Sequence, residues 1–139
     1  MKHLIITRPK ERTNRYYPYK IVTPQNQLIA EIANNDTVEL DVDESIPYIK
    51  AKLSYGGSNK LALSDCNEVQ KIEVKSHAFF FTTLTLSGSF IILAYTLRYI
   101  YDSLIIKNIS NILLIGILLF ITLSATLWKN KWIEMRKAE

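Results

Sequence analysis

Cysteine and histidine, the side chains most often used for nucleophilic and metal chemistry, are nearly absent from this 139-residue chain. It has one cysteine, Cys66, and two histidines, His3 and His77. A single cysteine excludes an intramolecular disulfide and any cysteine-rich metal site. Neither histidine stands at a spacing typical of metal ligands, and no hydrolase, metalloprotease or phosphate-loop motif occurs. We therefore expect no catalytic residue, no metal, no cofactor and no enzymatic activity.

Glycine is scarce, the net charge is low, and the first residues contain no long apolar run. Two of the four glycines are adjacent, and Gly56–Gly57 predicts a two-residue hairpin turn. The opening segment MKHLIITRPKERTNR has no apolar run of signal-peptide length, so we expect no cleaved signal and a cytoplasmic soluble part. The net charge of +4 is small and dispersed, and we expect no nucleic-acid partner.

Charge is absent from two long stretches near the end of the chain. Residues 78–97 read AFFFTTLTLSGSFIILAYTL and residues 108–128 read NISNILLIGILLFITLSATLW. Twenty residues of helix match a hydrocarbon core about 30 Å thick. The 76 residues before them are too few to bury two such helices. Residues 77–139 are therefore predicted to form a transmembrane hairpin with a basic C-terminal tail. Interfacial anchors are expected at Tyr95, Tyr99, Tyr101, Trp128 and Trp132.

The distribution of lysine and arginine predicts the orientation of this hairpin. The connection between the two stretches carries Arg98 and Lys107. More cations flank the outer ends, and cytoplasmic segments are enriched in such residues. Both termini are therefore expected in the cytoplasm, with the two spans in the cytoplasmic membrane. The flanking cations are Lys60, Lys71, Lys75, Lys129, Lys131, Arg136 and Lys137.

Small residues on the first stretch predict a helix-packing face. Thr83, Ser87 and Gly88 lie at helical spacing, and Gly116 offers a matching close approach on the second stretch. The face either joins the two helices to each other or docks another subunit. Replacing Gly88 with leucine is expected to disturb helix association.

Residues 1–76 alternate between apolar and polar side chains, with turn residues between the alternating segments. Seven short strands at roughly ten-residue spacing are typical of an all-β domain, either an antiparallel sandwich or a partly open barrel. The candidate strands are residues 3–7, 19–23, 27–33, 37–42, 48–54, 59–64 and 68–75.

Two of these strands predict a charged ladder. Glu39, Asp41 and Asp43 share the polar face of one strand, and Lys50 and Lys52 share that of the next. A short loop joins the strands, so the sequence predicts that they pair with opposite charges facing each other. The alternative is a carboxylate row that binds a cation or a basic partner.

The segment RPKERTNRYYPYK mixes cations with tyrosines. Three interpretations remain open: contact with RNA or an acidic ligand, contact with anionic lipid headgroups, or a solvated loop. The cations predicted to contact an anion or a headgroup are Arg8, Lys10, Arg12, Arg15 and Lys20.

The β segment resembles the small PEGA-like domains of bacterial envelope proteins. The resemblance rests on a strand ending near Ile32, on TVELDV, on Ile49–Lys52 as a strand of the form I-x-A-K, and on GSN at residues 57–59. It covers about 55 residues, and departs from the pattern at ESIP (residues 44–47) and at Gln25–Asn26. It implies a β fold and transfers no catalytic residue.

These features favour a non-enzymatic accessory or scaffolding subunit of a bacterial cytoplasmic-membrane complex. Its partners would be membrane lipid and either other membrane subunits or copies of itself. The alternative is a ligand-gated, membrane-disrupting effector whose β domain senses a small anionic signal. The predicted membrane spans contain no Asp, Glu, Lys, Arg or His, which argues against a pump or a coupled transporter.

Overall fold

The computed structural model of the chain describes residues 1–12, 14–54 and 56–138, with only the backbone described at Phe81. These residues fall into two compact units. The β unit comprises residues 1–77 and the segment from Lys129 onwards. The helical unit comprises Ala78–Trp128.

Two four-stranded sheets make up the β unit. The first has the strand order β4-β1-β7-β8 and the second the order β3-β2-β5-β6. Seven strands lie where the alternating pattern predicted them, and β8 adds an eighth from beyond the helices. The predicted all-β architecture is confirmed, and it is not a closed barrel. The strands are β1 Lys2–Arg8, β2 Tyr19–Val22, β3 Leu28–Ile32, β4 Asp36–Val42, β5 Tyr48–Lys52, β6 Leu61–Ala62, β7 Val69–Ser76 and β8 Ile133–Lys137.

The core of the β unit is built from every second residue of its strands. Successive side chains of a strand point to opposite faces, so an alternating sequence buries one face of each sheet. Both sheets contribute inward-facing side chains. The most deeply buried of these are Leu4 and Ile6 of β1, Tyr19 and Ile21 of β2, Ile32 of β3, Ile49 and Ala51 of β5, Ile72 and Val74 of β7, and Ile133 of β8.

The predicted pairing of the acidic strand with the lysine strand is wrong. β4 pairs with β1 along its whole length, from Lys2 opposite Val42 to Arg8 opposite Asp36. β5 belongs to the other sheet, between β2 and β6. The chain therefore changes sheets between β4 and β5, and the first sheet also contains a parallel pair, β1 with β7. The carboxylates of β4 consequently face a histidine instead of lysines.

That histidine, His3, gives the β unit a predicted pH dependence. Its Nδ1 lies 2.8 Å from Asp41 Oδ1 and its Nε2 lies 3.6 Å from Glu39 Oε2. The hydrogen bond to Asp41, aided by the two nearby negative charges, raises the pKa of His3 against a smaller opposing effect of desolvation. A raised pKa in the folded state contributes stability below the unfolded value of about 6.5, and that stability is lost as the pH rises through the folded pKa.

We expect the melting temperature of the β unit to fall as the pH rises from about 6.5 through the folded pKa of His3. Replacing His3 with glutamine should flatten this slope without unfolding the domain. Calorimetry at several pH values measures both, and an unchanged slope in the variant would contradict the assignment.

The segment after the second helix belongs to the β unit instead of forming a free basic tail. β8 pairs antiparallel with β7, from Ile72 opposite Lys137 to Ser76 opposite Ile133. Trp132, predicted as an interfacial anchor, is only 5% exposed and lies over Gly56. A Cβ added at Gly56 would lie 2.7 Å from Trp132 Cγ. Trp132 is therefore a core residue, and Gly56 provides the space for its indole ring.

The predicted two-residue turn at Gly56–Gly57 is also corrected. The Leu53 amide donates to the Gly56 carbonyl at 2.7 Å, and Gly57 forms a bridge with Lys52. Lys52 and Gly57 therefore close this hairpin, and the two glycines do not form a two-residue turn. The amide of Gly57 donates to the carbonyl of Lys129 at 2.7 Å, so the glycine pair joins the hairpin to the returning chain.

The helical unit contains two long helices, α1 Ala78–Ile100 and α2 Leu104–Ala125. Both are long and apolar enough to cross a membrane, with mean hydropathies of 1.7 and 2.3 over their most apolar windows. α1 continues to Ile100, past the end of the predicted stretch 78–97. α2 begins and ends a few residues earlier than the predicted stretch 108–128. A short 3-10 turn, Lys129–Lys131, follows α2 and leads into β8.

Candidate functional site

Arg8, predicted to contact an anion, is buried in the β unit. Its side chain is fully enclosed and forms an ion pair with Glu11 Oε2 at 2.9 Å. The guanidinium also stacks on the ring of Tyr19, 3.6 Å from its centroid. A charge in this position stabilises the fold only with such partners, and it is not accessible to a ligand.

Glu11 connects this buried cluster to several segments. Its Oε2 accepts a hydrogen bond from the Tyr19 hydroxyl at 2.7 Å, and its Oε1 accepts one from the amide of Ser76. Burial, together with that hydrogen bond, raises the pKa of the Tyr19 phenol far above its ordinary value. Tyr19 therefore remains a neutral hydrogen-bond donor at every physiological pH.

Arg8 also holds the loop before β2. Its Nη1 donates to the carbonyl of Tyr17 at 2.8 Å, and its Nη2 donates to the carbonyl of Asn14 at 3.0 Å. Asn14 adopts a left-handed backbone with φ 57°, and its carbonyl accepts a hydrogen bond from the Tyr17 amide at 3.1 Å. The buried cation thus fixes the loop, which presents the ring of Tyr17 to solvent.

The other predicted cations are on the surface, and they occupy different surroundings. Lys10 and Arg12 are on the outer part of the loop, one exposed residue on each side of Glu11. The guanidinium of Arg15 lies over the ring of its neighbour Tyr16, 4.5 Å from the centroid. Lys20 stands on the outer face of β2. Lys20, a member of the predicted set, lines a concave surface.

That concave surface is an open groove of about 970 Å³ on the outer face of the second sheet. Its floor is formed by Lys20 and Val22 of β2, Glu31 of β3 and Lys52 of β5, and its walls include Tyr17 and Leu28. Tyr17 is 60% exposed and Leu28 is 55% exposed. The sequence did not place Lys52 beside Lys20 and Tyr17, because the groove depends on β5 lying beside β2.

The strand register brings two lysines together in the groove. Lys20 and Lys52 are directly opposite each other on β2 and β5, where Cα atoms are about 5 Å apart. Such like-charged pairs destabilise a sheet slightly. On the other side of Lys20, Glu31 Oε1 lies 3.6 Å from the ammonium, an exposed pair of little energetic value.

The outer faces of the two sheets differ in charge. On the first sheet, acids and bases are matched, as where Glu73 Oε1 pairs with Arg136 at 2.9 Å and with Lys75 at 3.5 Å. On the second sheet Glu31 is the single carboxylate among the described strand residues of that face. Its cations are Lys20, Lys50 and Lys52, with Lys60 beside them over the ring of Tyr48.

The seam between α1 and α2 is lined by residues that recur every seven positions. All of them are buried, as expected where two helices pack along a common line. Small side chains in such a seam allow the helix backbones to approach closely. The seam residues are Phe80, Ser87 and Ala94 on α1, and Ser110, Ile117 and Ser124 on α2.

This seam includes only part of the predicted packing face. Ser87 is buried and its hydroxyl donates to the carbonyl of Thr83 at 2.8 Å. Gly88 and Gly116 are exposed, and a Cβ added at either would meet no described atom within 4 Å. The two glycines therefore lie outside the contact between α1 and α2. The spacing of seven residues, visible in the sequence, was the better signal.

Aromatic residues lie at both ends of the helical unit. At one end, Trp128 packs with Phe80 and Phe120, with ring centroids 6.0 and 6.2 Å apart. At the other, Tyr99 and Tyr101 are 93% and 50% exposed, and Tyr95 one turn earlier is 60% exposed. The tyrosines are thus available to solvent or headgroups, and Trp128 is partly used in packing.

No protein-family model, curated protein or solved structure matches this chain. The resemblance to PEGA-like domains therefore stays a prediction, whereas the β-rich unit and the two apolar helices are features of the structure itself.

Proposed function

We propose that this chain is a non-enzymatic accessory or scaffolding subunit of a bacterial cytoplasmic-membrane complex. The helical hairpin would dock in the membrane, and the β unit would bind a partner in the cytoplasm. The observation that carries this proposal is the outward surface of the hairpin. Large apolar side chains cover it, including Ile92, Ile105 and Ile112, each 69–71% exposed.

A soluble protein would need to bury such helices. Only 18% of the apolar window of α1 and 11% of that of α2 are buried, so the chain itself does not supply a cover. Exposed apolar patches of this extent mark a membrane or protein interface. We propose that lipid, together with contacts to other subunits, surrounds the apolar surfaces of α1 and α2.

The proposed topology is two crossings with both termini in the cytoplasm. The ladder between β7 and β8 supports the even number of crossings. α1 follows β7 and α2 precedes β8, so a chain that crosses on α1 has to return on α2 for these strands to pair. Both cations at the connection have polar partners. Arg98 donates a hydrogen bond to Asn111 Oδ1 at 2.7 Å, and Lys107 forms an ion pair with Asp102. Lys129 and Lys131, at the other end, are exposed.

A PEGA-like role for the β unit is part of the same proposal. Two small sheets with solvent-facing outer surfaces are compatible with a module that binds a partner protein. This part rests on fold analogy, which supports an architecture more than an activity.

Reporter fusions test the topology. A cytoplasm-active reporter at the C-terminus should be active, and so should one at the N-terminus, because β7 and β8 pair in one sheet. A reporter inserted between α1 and α2, at Ser103, should be active only in the periplasmic form. Periplasmic activity of the C-terminal fusion would refute the proposed orientation.

Purification in mild detergent at native abundance tests the accessory role. A foreign membrane protein present in a fixed ratio would support it and identify the complex. A chain recovered only with copies of itself would contradict an accessory role and favour the second candidate.

The second candidate is a ligand-gated effector that breaches the membrane when hairpins assemble. A line of hydroxyl side chains on α1 favours it. Thr82, Thr85, Ser89 and Thr96 are exposed, and their spacing of three, four and seven residues places them on one side of the helix, away from the seam. Assembled hairpins could turn these hydroxyls toward an opening. Such an effector should depolarise cells when activated, whereas an accessory subunit should not.

A further inference from the structure

The groove on the second sheet has the properties of a ligand site that the proposed membrane role does not explain. Its floor combines two lysines with an apolar residue, Val22, and its walls add an exposed tyrosine and an exposed leucine. Pockets for small molecules are of comparable volume, with apolar walls and a few charged groups that fix orientation. The groove is therefore large enough for a ligand of metabolite size.

The charges of the groove specify the sign of the ligand. Lys20 and Lys52 face each other across neighbouring strands, and Lys50 is two residues from Lys52 on the same face. An anion placed between Lys20 and Lys52 would remove the repulsion within that pair and accept charge-assisted hydrogen bonds from both. Glu31 does not prevent this, because its contact with Lys20 is long and exposed, at 3.6 Å.

The aromatic wall specifies a second part of the ligand. Tyr17 projects beside the lysines, and its loop is held from below by the hydrogen bond from Arg8 to its carbonyl. An exposed ring on a fixed loop can stack on a flat or apolar group at little entropic cost. Tyr16, its neighbour, is also exposed but is outside the groove lining and interacts with Arg15.

We propose that the groove formed by Tyr17, Lys20 and Lys52 binds a phosphorylated small molecule with a flat or apolar portion. The phosphate contacts the two ammonium groups, and the flat portion lies against Tyr17. A phosphate carries up to two negative charges and several acceptor oxygens, which suits two lysines acting as point charges. The inference goes beyond the proposed function, because it holds whether or not the chain joins a membrane complex.

The test is amide NMR of the full chain in nanodiscs of zwitterionic lipid. Three probes are titrated: inorganic pyrophosphate, phenyl phosphate and ATP. We expect resonances of residues 17, 20, 22, 31 and 52 to shift. ATP and phenyl phosphate should saturate these shifts at lower concentrations than compounds that carry the same phosphate groups without an aromatic ring. If none of the three probes shifts these resonances at millimolar concentration, the inference is wrong.

Matched variants locate the ligand. Lys20→Gln and Lys52→Gln should each weaken binding of the tightest probe about tenfold. Lys71→Gln, which removes an exposed lysine from the first sheet, should leave it unchanged. Tyr17→Ala should weaken ATP and phenyl phosphate but not pyrophosphate, and Tyr16→Ala should affect none of them. Equal losses in Lys71→Gln and Lys20→Gln would reveal unspecific charge attraction and overturn the assignment.

Nanodiscs that contain phosphatidylglycerol, without any added probe, distinguish the two sources of phosphate. Unchanged groove resonances in them support a soluble ligand. Shifts that match those caused by the probes would assign the phosphate to a lipid headgroup and overturn the small-molecule inference. Neither outcome alters the reporter and purification results, so failure here is separable from failure of the proposed function.

Discussion

Replacing Arg8 with methionine is expected to lower the free energy of unfolding of the β unit by about 3–5 kcal/mol. The variant removes the cation but leaves Glu11, whose side chain is 7% exposed, as a buried charge without its ion-pair partner. It also removes the hydrogen bonds from the guanidinium to the loop carbonyls of Asn14 and Tyr17. Most of this effect comes from leaving the Glu11 carboxylate buried without a partner, and less comes from losing the ion pair itself.

Urea unfolding of the full chain in detergent measures this effect. Trp132 fluorescence reports the β unit when Trp128 is replaced by phenylalanine. The double variant Arg8→Met, Glu11→Gln removes both charges and should regain part of the lost stability. Arg15→Met, which removes an exposed cation, should change stability by less than about 0.5 kcal/mol. Equal effects of the Arg8 and Arg15 variants would show that Arg8 is not a structural cation.

Replacing Ala94 with leucine is expected to separate the helices of the hairpin. Ala94 is 1% exposed in the seam, so three added heavy atoms have no space unless α1 and α2 move apart. Overpacking of this kind costs about 1–3 kcal/mol in well-packed interiors. Gly88→Leu adds a larger side chain to the same helix, but into a position with no described atom within 4 Å. It should leave the contact between the helices unchanged.

Spin labels at the exposed positions Ile92 and Ile112, in a Cys66→Ser background, measure the separation. We expect a narrow distance distribution in the parent chain and in Gly88→Leu, and a longer or broader one in Ala94→Leu. The reverse ranking would show that the helices pack through their glycines, as the small-residue pattern predicted. The pair of variants therefore tests the seven-residue seam directly.

The strands could be predicted from the sequence, but most of their partners could not. Alternation in segments such as HLIIT and EVQKIEVK is a local property, so the positions of β1 and β7 follow from it. The parallel pairing of these two strands is a contact between residues nearly 70 positions apart in the sequence. No local pattern specifies such a contact, and the short ESIP loop wrongly favoured pairing between β4 and β5.

The site predictions failed where burial decided the role of a side chain. Arg8 and Arg15 look alike in a basic segment, yet one is enclosed and the other is exposed. Trp132 has the sequence context of an interfacial anchor, but the β unit encloses it over Gly56. β8 was missed because its five residues, IEMRK, are few and mostly polar. Only the pairing with β7 makes them a strand.

The position of β8 after the hairpin also sets an order of events during translation. The first sheet gains its fourth strand, and the core gains Trp132, Ile133 and Met135, only after α2 has left the ribosome. Until then the outer edge of β7 is unpaired, and such an edge invites aggregation or proteolysis. A nascent chain in which α2 is misplaced would keep that edge open. Completion of the β unit would thus mark the chains in which both helices are correctly placed.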